Sequence, residues 1–264
     1  MLSTYKAILN GNQVKWSGEA PQNLLEGQGV AVHITILEEP SLSSAQGSET
    51  IKKPSLISQN NIDIYGAKNT DELRDVYERW AIKYDEDNEI LETVTQPTAV
   101  NLFKRYVSNF SAKILDVGCG TGLVGEELIK AGYTCFDGLD LSKEMLSFAK
   151  NRGYGQLFHG NLNETLPFED ETYDATICVG TFTHSHVKAD RLSELIRITR
   201  PGGFVCFTVH EGVFDEYNFN NVISSYVTER KWKILEKVKL DYMKNENVKG
   251  WYIIATILPS SLTN

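Results

Sequence analysis

Residues 116–122 read Asp-Val-Gly-Cys-Gly-Thr-Gly, a carboxylate followed by glycine at every second position. Glycines so spaced permit a tight turn and let a ligand come close to the backbone. The run Lys113-Ile114-Leu115-Asp116-Val117 reads as a strand, and Leu123 to Ala131 as a helix. A strand, a glycine loop and a helix in that order mark the place where a doubly wound sheet binds ligands beyond its strand ends. A GxGxxG dinucleotide fingerprint needs glycine at 123, where Leu123 stands, and no Gly-Lys-Ser/Thr of a phosphate loop follows. Asp116 is a poor neighbour for a pyrophosphate and a good one for a ligand with cationic groups. A second carboxylate, Asp140, ends the next strand in Gly138-Leu139-Asp140-Leu141-Ser142, 22 residues beyond Gly118. A gap of roughly 20 residues suits an acid that accepts the hydroxyls of a ribose. An Asp at a strand end also caps helices, but Ser142 is better placed for that task.

The remaining reactive side chains carry weaker signals. His184 and His186 fall just after one strand, and His210 with Glu211 at the end of another. A histidine at a pocket mouth titrates near neutrality and can act as general base; packing and orienting roles compete with that reading for His184 and His186. Two histidines at i, i+2 with no third ligand do not make a metal site, and no metal is expected. The four cysteines lack metal-ligand spacing. Cys135, Cys178 and Cys206 sit in or beside strand patterns and read as small core hydrophobes. Cys119, inside the glycine loop, is the one expected to meet a ligand. Trp80, Tyr84, Phe182, Phe214 and Tyr217 are candidates for a substrate pocket, with ordinary core packing as the competing role.

These residues need a frame to position them. From about residue 61 to 264 the chain alternates helical and strand patterns. Leu73, Val76, Tyr77, Trp80 and Tyr84 fall at helical spacing, with Thr70 as candidate N-cap, and Val100, Phe103, Tyr106 and Val107 repeat the pattern after Pro97. Strands are expected at 113–117, 135–139, 173–179, 204–209, 232–242 and 251–258, and helices at 123–131, 142–151, 189–199 and 218–229. Strands alternating with helices imply βαβ units and a parallel sheet covered on both faces. Residues 1–38 read instead as a small β-rich module. Tyr5–Leu9 and Gln13–Trp16 flank Asn10-Gly11, a hairpin-turn dipeptide, and Val30 to Leu37 alternates with period two. Residues 39–60, polar and rich in Ser, Gly and Pro, read as a flexible linker.

The 264 residues are 41% hydrophobic and 23% charged, ordinary globular composition. With 35 acidic against 26 basic residues the net charge is −9, which offers nucleic acid or an anionic membrane no general attraction. No apolar run approaches the roughly 20 residues of a membrane span, and a cytoplasmic protein is expected.

With these motifs on the page, residues 113–210 resemble a class I methyltransferase that uses S-adenosylmethionine. The stretches that carry the resemblance are LDVGCGTG, GLDLSKEML, YDATICVG and RPGGFVCF. WAIKYDED, GCGTGLVGEEL, GLDLSKEML and CVGTFTHSHV together are most similar to the Williams-Beuren-region methyltransferase-like proteins, over roughly residues 73–258. The resemblance implies an α/β fold, a doubly wound, mostly parallel seven-stranded Rossmann-like sheet, with the small β-rich N-terminal module outside it. It implies that Asp116, Gly118 and Gly120 hold the methionyl part of the cofactor and Asp140 its ribose, with Cys119 in the same loop as a further cofactor contact. Leu141 and Met145 would pack on the adenine, Asn161 and Leu162 would stand where relatives carry Asp-Leu beside the adenine amine, and Asn161 departs from that pattern. Val179 and Gly180 would line the methyl-donor end, and Tyr84 would close the pocket.

The expected function is methyl transfer to a small-molecule acceptor by in-line displacement. No Asn-Pro-Pro-Tyr-type stretch follows the strand at 173–179, where Gly180-Thr181-Phe182-Thr183 stands instead, which argues against the amino group of a nucleic-acid base. The alternative is a protein that binds S-adenosylmethionine and regulates without turnover, forming a homodimer through residues 1–38. A nicotinamide oxidoreductase is disfavoured by Leu123 and Asp116.

Overall fold

The computed structural model describes residues 7–10, 13–16, 67, 69–184 and 187–259. The chain divides into two compact units, Met1–Ile51 and Lys52–Asn264. In the first, β1 (Ala7–Asn10) pairs antiparallel with β2 (Gln13–Trp16), Asn10 opposite Gln13, as a two-residue hairpin connection requires. The expected strand at Val30–Leu37 and the linker at 39–60 lie outside the described residues.

The second unit is built on a seven-stranded sheet. Its elements are α1 (Thr70–Trp80), α2 (Tyr84–Ile90), α3 (Thr95–Lys104), β3 (Ile114–Val117), α4 (Leu123–Ala131), β4 (Phe136–Asp140), α5 (Lys143–Ala149) and β5 (Leu157–His159). They continue with β6 (Tyr173–Phe182), α6 (Leu192–Ile198), β7 (Thr199–His210), α7 (Glu211–Phe214), α8 (Phe219–Thr228), β8 (Trp232–Met243) and β9 (Val248–Ile257). The strand order is β5-β4-β3-β6-β7-β9-β8. Strands β5 to β7 along that order are parallel, and β9 runs antiparallel to both β7 and β8. The expected doubly wound, mostly parallel α/β sheet is therefore the observed one. The order reverses at β3, so the crevice beyond the carboxyl ends of β3 and β6 is where this architecture places a ligand.

The core explains why these residues form these strands. Ile114, Leu115, Asp116 and Val117 are all buried, as a central parallel strand covered on both faces demands. One apolar layer joins Leu115, Val117 and Leu139 to Phe182, Phe207 and Trp232; the other joins Ile114, Ile177 and Ile254 to Val100, Phe103 and Leu128 of the flanking helices.

Several boundaries differ from the sequence expectation. Helix α1 is capped by Asn69, whose side chain accepts from the Glu72 N–H, rather than by Thr70; Asn69 alone has the extended backbone that a cap needs. Pro97 lies in the first turn of α3, where its missing N–H costs no helix bond. The 189–199 helix begins as a 3-10 turn over Ala189–Arg191. Strand β5, only three residues long with no buried residue, was absent from the sequence expectation. Among the described residues no helix is long and apolar enough to cross a membrane.

Candidate active site

The glycine loop leaves β3 at Val117. Gly118 has φ +77°, and a side chain there would put its Cβ 2.1 Å from Thr181 Oγ1, so both backbone and space demand glycine. Gly120, at φ +54°, has nothing within 4 Å of where a Cβ would sit; its missing side chain leaves the space over the loop open. The Gly118 and Cys119 N–H groups donate to Leu139 O at 2.7 and 3.0 Å, tying the loop to the end of β4.

Asp140 closes that connection. Its Oδ2 accepts from the Gly120 N–H at 2.8 Å and its Oδ1 from the Ser142 N–H at 2.9 Å. Burial raises the pKa of its carboxyl, and these backbone donors oppose the rise. Ser142 in turn caps α5, its Oγ accepting from the Met145 N–H at 3.2 Å. The two tasks are thus divided as the sequence suggested, with the serine capping and the aspartate facing the crevice.

Asp116 lies beneath the loop, fully buried. Its Oδ2 accepts from the Tyr154 hydroxyl at 2.7 Å, while Oδ1 has no partner among the described residues. Burial, with the Asp140 carboxylate as a lesser cause, pushes its pKa up to about 7, against the pull of the Tyr154 hydrogen bond. Tyr154 also accepts from the Gly125 N–H at 3.0 Å, so one phenol joins Asp116 to the first turn of α4.

A polar latch holds α2 against the loop. Asp85 Oδ1 accepts from Thr121 Oγ1 at 2.6 Å, and Asp85 Oδ2 pairs with Arg152. Arg152 also donates to Thr121 O at 3.0 Å and pairs with Glu126 at 2.9 Å. Tyr84, the residue before Asp85, is thereby set over the crevice. Burial and the nearby Asp140 push its phenol up to about 12, so it stays protonated.

These elements enclose a cleft of about 680 Å³. Of the residues singled out in the sequence, Tyr84, Gly118, Gly120, Asp140, Leu141, Met145, Asn161, Leu162 and Val179 line it together. Asp116 and Cys119 do not reach the lining. Asp116 sits under the loop, and the Cys119 thiol is buried against Gly138, where burial raises its pKa well above the usual value. The Asn161 side-chain carbonyl accepts from the Asn163 N–H at 2.9 Å and keeps a second lone pair. Leu73, Tyr77, Gly160, Asn163, Thr181 and Val187 line the cleft without having been singled out for it. Tyr77 was visible as part of the α1 stripe, but helical periodicity alone does not say which side of a helix meets a ligand.

A second cleft, of about 620 Å³, shares Tyr77, Tyr84 and Gly180 with the first. Trp80 and His210 also line it. His210 Nδ1 accepts from the Gly212 N–H at 3.0 Å, and burial, helped by His184 at 5.1 Å between ring centroids, lowers its pKa to about 4. At neutral pH the imidazole is uncharged with its proton on Nε2. His184 lies against His210 and lines neither cleft; His186 is outside the described residues. Phe182 and Phe214 are core residues and Tyr217 packs beside them, so of the five aromatic candidates Trp80 and Tyr84 are the two that line these clefts.

Strand order, reversal point and glycine loop define the α/β fold of the class I methyltransferases. Residues 114–203 match the methyltransferase-domain family model. Human methyltransferase-like protein 27 is 39% identical over 136 residues, covering 50% of this chain and 55% of that protein. The malonyl-[acyl-carrier protein] O-methyltransferase of Buchnera aphidicola is 34% identical over 153 residues, covering 56% and 61%. The match thus spans little more than half the length of these two relatives. A SAM-dependent methyltransferase from Thermotoga maritima has the same fold, with a TM-score of 0.51 over 69% of this chain and 98% of that one at 17% identity. Residues 114–203 thus match a methyltransferase domain, set in a fold shared with a solved S-adenosylmethionine-dependent methyltransferase.

Proposed function

We propose that this chain transfers the methyl group of S-adenosylmethionine to a small-molecule acceptor. The observation that supports it most is the first cleft, in which the open backbone over Gly120, the Asp140 carboxylate and the apolar side chains Leu141, Met145 and Leu162 share one wall. Asp140 suits a pair of ribose hydroxyls, the apolar trio a flat base, and the Gly118–Gly120 backbone a methionyl chain. Asp116, buried beneath that backbone with its pKa pushed up to about 7, is poised to ionise toward a cationic ligand without touching the lining. Asn161 offers its remaining carbonyl lone pair to an amine. When bound, S-adenosylmethionine supplies a methyl carbon activated by sulfonium, and its transfer returns the bonding electron pair to sulfur. The protein's part is alignment and exclusion of water, and orientation can lower such a barrier by about 7–11 kcal/mol. Tyr84, Val179 and Gly180 lie where the two clefts meet or beside that junction, and the first two keep water from the donor end.

We read the chain as a β-rich module at 1–38, a linker at 39–60 and the methyltransferase domain at 61–264. Incubation with methyl-labelled S-adenosylmethionine and a panel of small acceptors tests the activity. Labelled product together with S-adenosylhomocysteine supports it; binding without turnover across the panel supports the regulatory alternative.

A further inference from the structure

The second cleft has an unusual wall. Its thirteen lining residues include Asn88, Thr93, Gln96, Thr183, His210 and Tyr242 but no Asp, Glu, Lys or Arg. Two of its hydroxyls, Thr93 Oγ1 and Tyr242 OH, are buried and have no hydrogen-bond partner among the described residues. An unpaired buried hydroxyl is costly to keep, and these two belong to segments far apart in sequence that the fold goes to some length to bring together. Thr93 forms an isolated antiparallel bridge with Met243, and Thr95 Oγ1 donates to Tyr242 O at 3.1 Å. The Tyr242 ring fits only because Gly250 beside it has no side chain; a Cβ there would lie 2.2 Å from the ring. At the other end, the Gly180 N–H donates to Thr208 Oγ1 at 3.0 Å, which fixes the left-handed glycine where the two clefts join. Trp80 is held by its indole N–H, which donates to Asp87 Oδ2 at 2.6 Å, and it packs edge-on against Tyr84 at 4.7 Å.

We propose that this second cleft, walled by Trp80, Tyr84, Thr93, Gln96, His210 and Tyr242, is the acceptor subsite and takes an uncharged ring compound that presents oxygen atoms to its hydroxyl and imidazole donors. The inference rests on the methyltransferase reading of the first cleft. Three residues with neutral donor groups, Thr93, Tyr242 and His210, line the space, the two hydroxyls buried in its wall, and the aromatic walls suit a flat ring. A carboxylate or ammonium on the ligand would be buried without a counter-charge in this wall, which is strongly unfavourable. The acceptor is thereby selected by what the wall lacks as much as by what it holds.

A matched series tests this: 4-hydroxybenzyl alcohol, 4-hydroxybenzoate and tyramine share a phenol ring and differ in being neutral, anionic and cationic at pH 7.5. Each is titrated into the full chain saturated with S-adenosylhomocysteine. The expected result is that the neutral probe binds at least about tenfold more tightly than either charged one. Tyr242→Phe and Thr93→Val each weaken the neutral probe by about five- to twentyfold, the range for a lost hydrogen bond to a ligand. S-adenosylhomocysteine affinity stays within about twofold, and the thermal midpoint falls little, because Thr93 Oγ1 makes no hydrogen bond among the described residues and Tyr242 OH has only Thr208 nearby. Equal or tighter binding of a charged probe overturns the inference, as does failure of all three to bind. Variants that lower the midpoint yet bind the neutral probe normally show a structural role and also overturn it. If S-adenosylhomocysteine itself does not bind, the methyltransferase reading fails and this inference with it; binding of S-adenosylhomocysteine without a neutral preference defeats this inference alone.

Discussion

Asp140 Oδ2 accepts a hydrogen bond from the Gly120 N–H at 2.8 Å, so the acid that faces the first cleft also sets the conformation of the loop opposite it. Removing the carboxylate therefore has two consequences that separate by assay. Asp140→Ala leaves the Gly120 and Ser142 N–H groups without their acceptor and is expected to lower stability by about 1–3 kcal/mol. It also removes the proposed ribose acceptor, and S-adenosylmethionine affinity is expected to fall by about 100-fold, more than the stability loss alone explains. Asp140→Asn retains one oxygen acceptor and falls between. Calorimetric titration beside urea unfolding checks both.

Asp116 gives a pH dependence whose sign is opposite to that of a salt-bridged acid. Its folded pKa of about 7 lies above the ordinary value of 3.8, so between those limits the folded state holds a proton that the unfolded state has lost. Its contribution is full below about pH 4 and declines as pH rises toward 7. Asp116→Asn removes that decline. The stability of the variant relative to the natural protein is expected to grow by about 2–4 kcal/mol between pH 4 and 7.5, read from denaturant midpoints. A constant difference across that range contradicts the assignment.

His210 moves the other way. Burial depresses its pKa to about 4 from 6.5, so the unfolded state takes up the proton first, and stability is lost as pH falls from 6.5 toward 4. His210→Gln is expected to lose less stability over that interval than the natural protein. If His210 serves as base, the acid limb of the rate profile lies near pH 4 instead of 6.5; a limb at 6.5 that vanishes in His210→Gln contradicts its burial.

The Asp85–Arg152 pair tests the latch on Tyr84. Both side chains are partly solvent-exposed, at 33% and 20%, so the pair adds at most about 1 kcal/mol to stability. Arg152→Met should leave the thermal midpoint nearly unchanged while weakening S-adenosylmethionine five- to tenfold, because α2 then keeps the Asp85–Thr121 hydrogen bond but loses the Arg152 arm of the latch. A large loss of stability with unchanged affinity would show that the latch serves the fold alone.

Much of the first cleft was legible because its residues are chemically unusual for their positions. Glycines at 118, 120 and 122 after an apolar strand, and an acid at a strand end 22 residues beyond Gly118, have few structural excuses. The doubly wound sheet was legible for a related reason: Ile114–Val117 and Tyr173–Val179 are short, mostly apolar runs separated by helical patterns. Strand β5 was not, because Leu157–His159 is too short and too exposed to leave a periodicity. Nor was the support of the site. Tyr154 reaches Asp116 across 38 residues and Arg152 reaches Asp85 across 67, and no local pattern announces such pairings. The second cleft needed the fold entirely, since the segments of Thr93 and Tyr242 are joined by the Thr93–Met243 bridge and the Thr95–Tyr242 hydrogen bond, which no local pattern announces.

The central claim is that the first cleft binds S-adenosylmethionine. Its most direct test is calorimetric titration of S-adenosylmethionine, S-adenosylhomocysteine and NAD into the purified full chain. The account predicts micromolar binding of the first two at one site per chain and no heat from NAD. A folded protein that binds neither sulfur compound, or that binds NAD in their place, would contradict it.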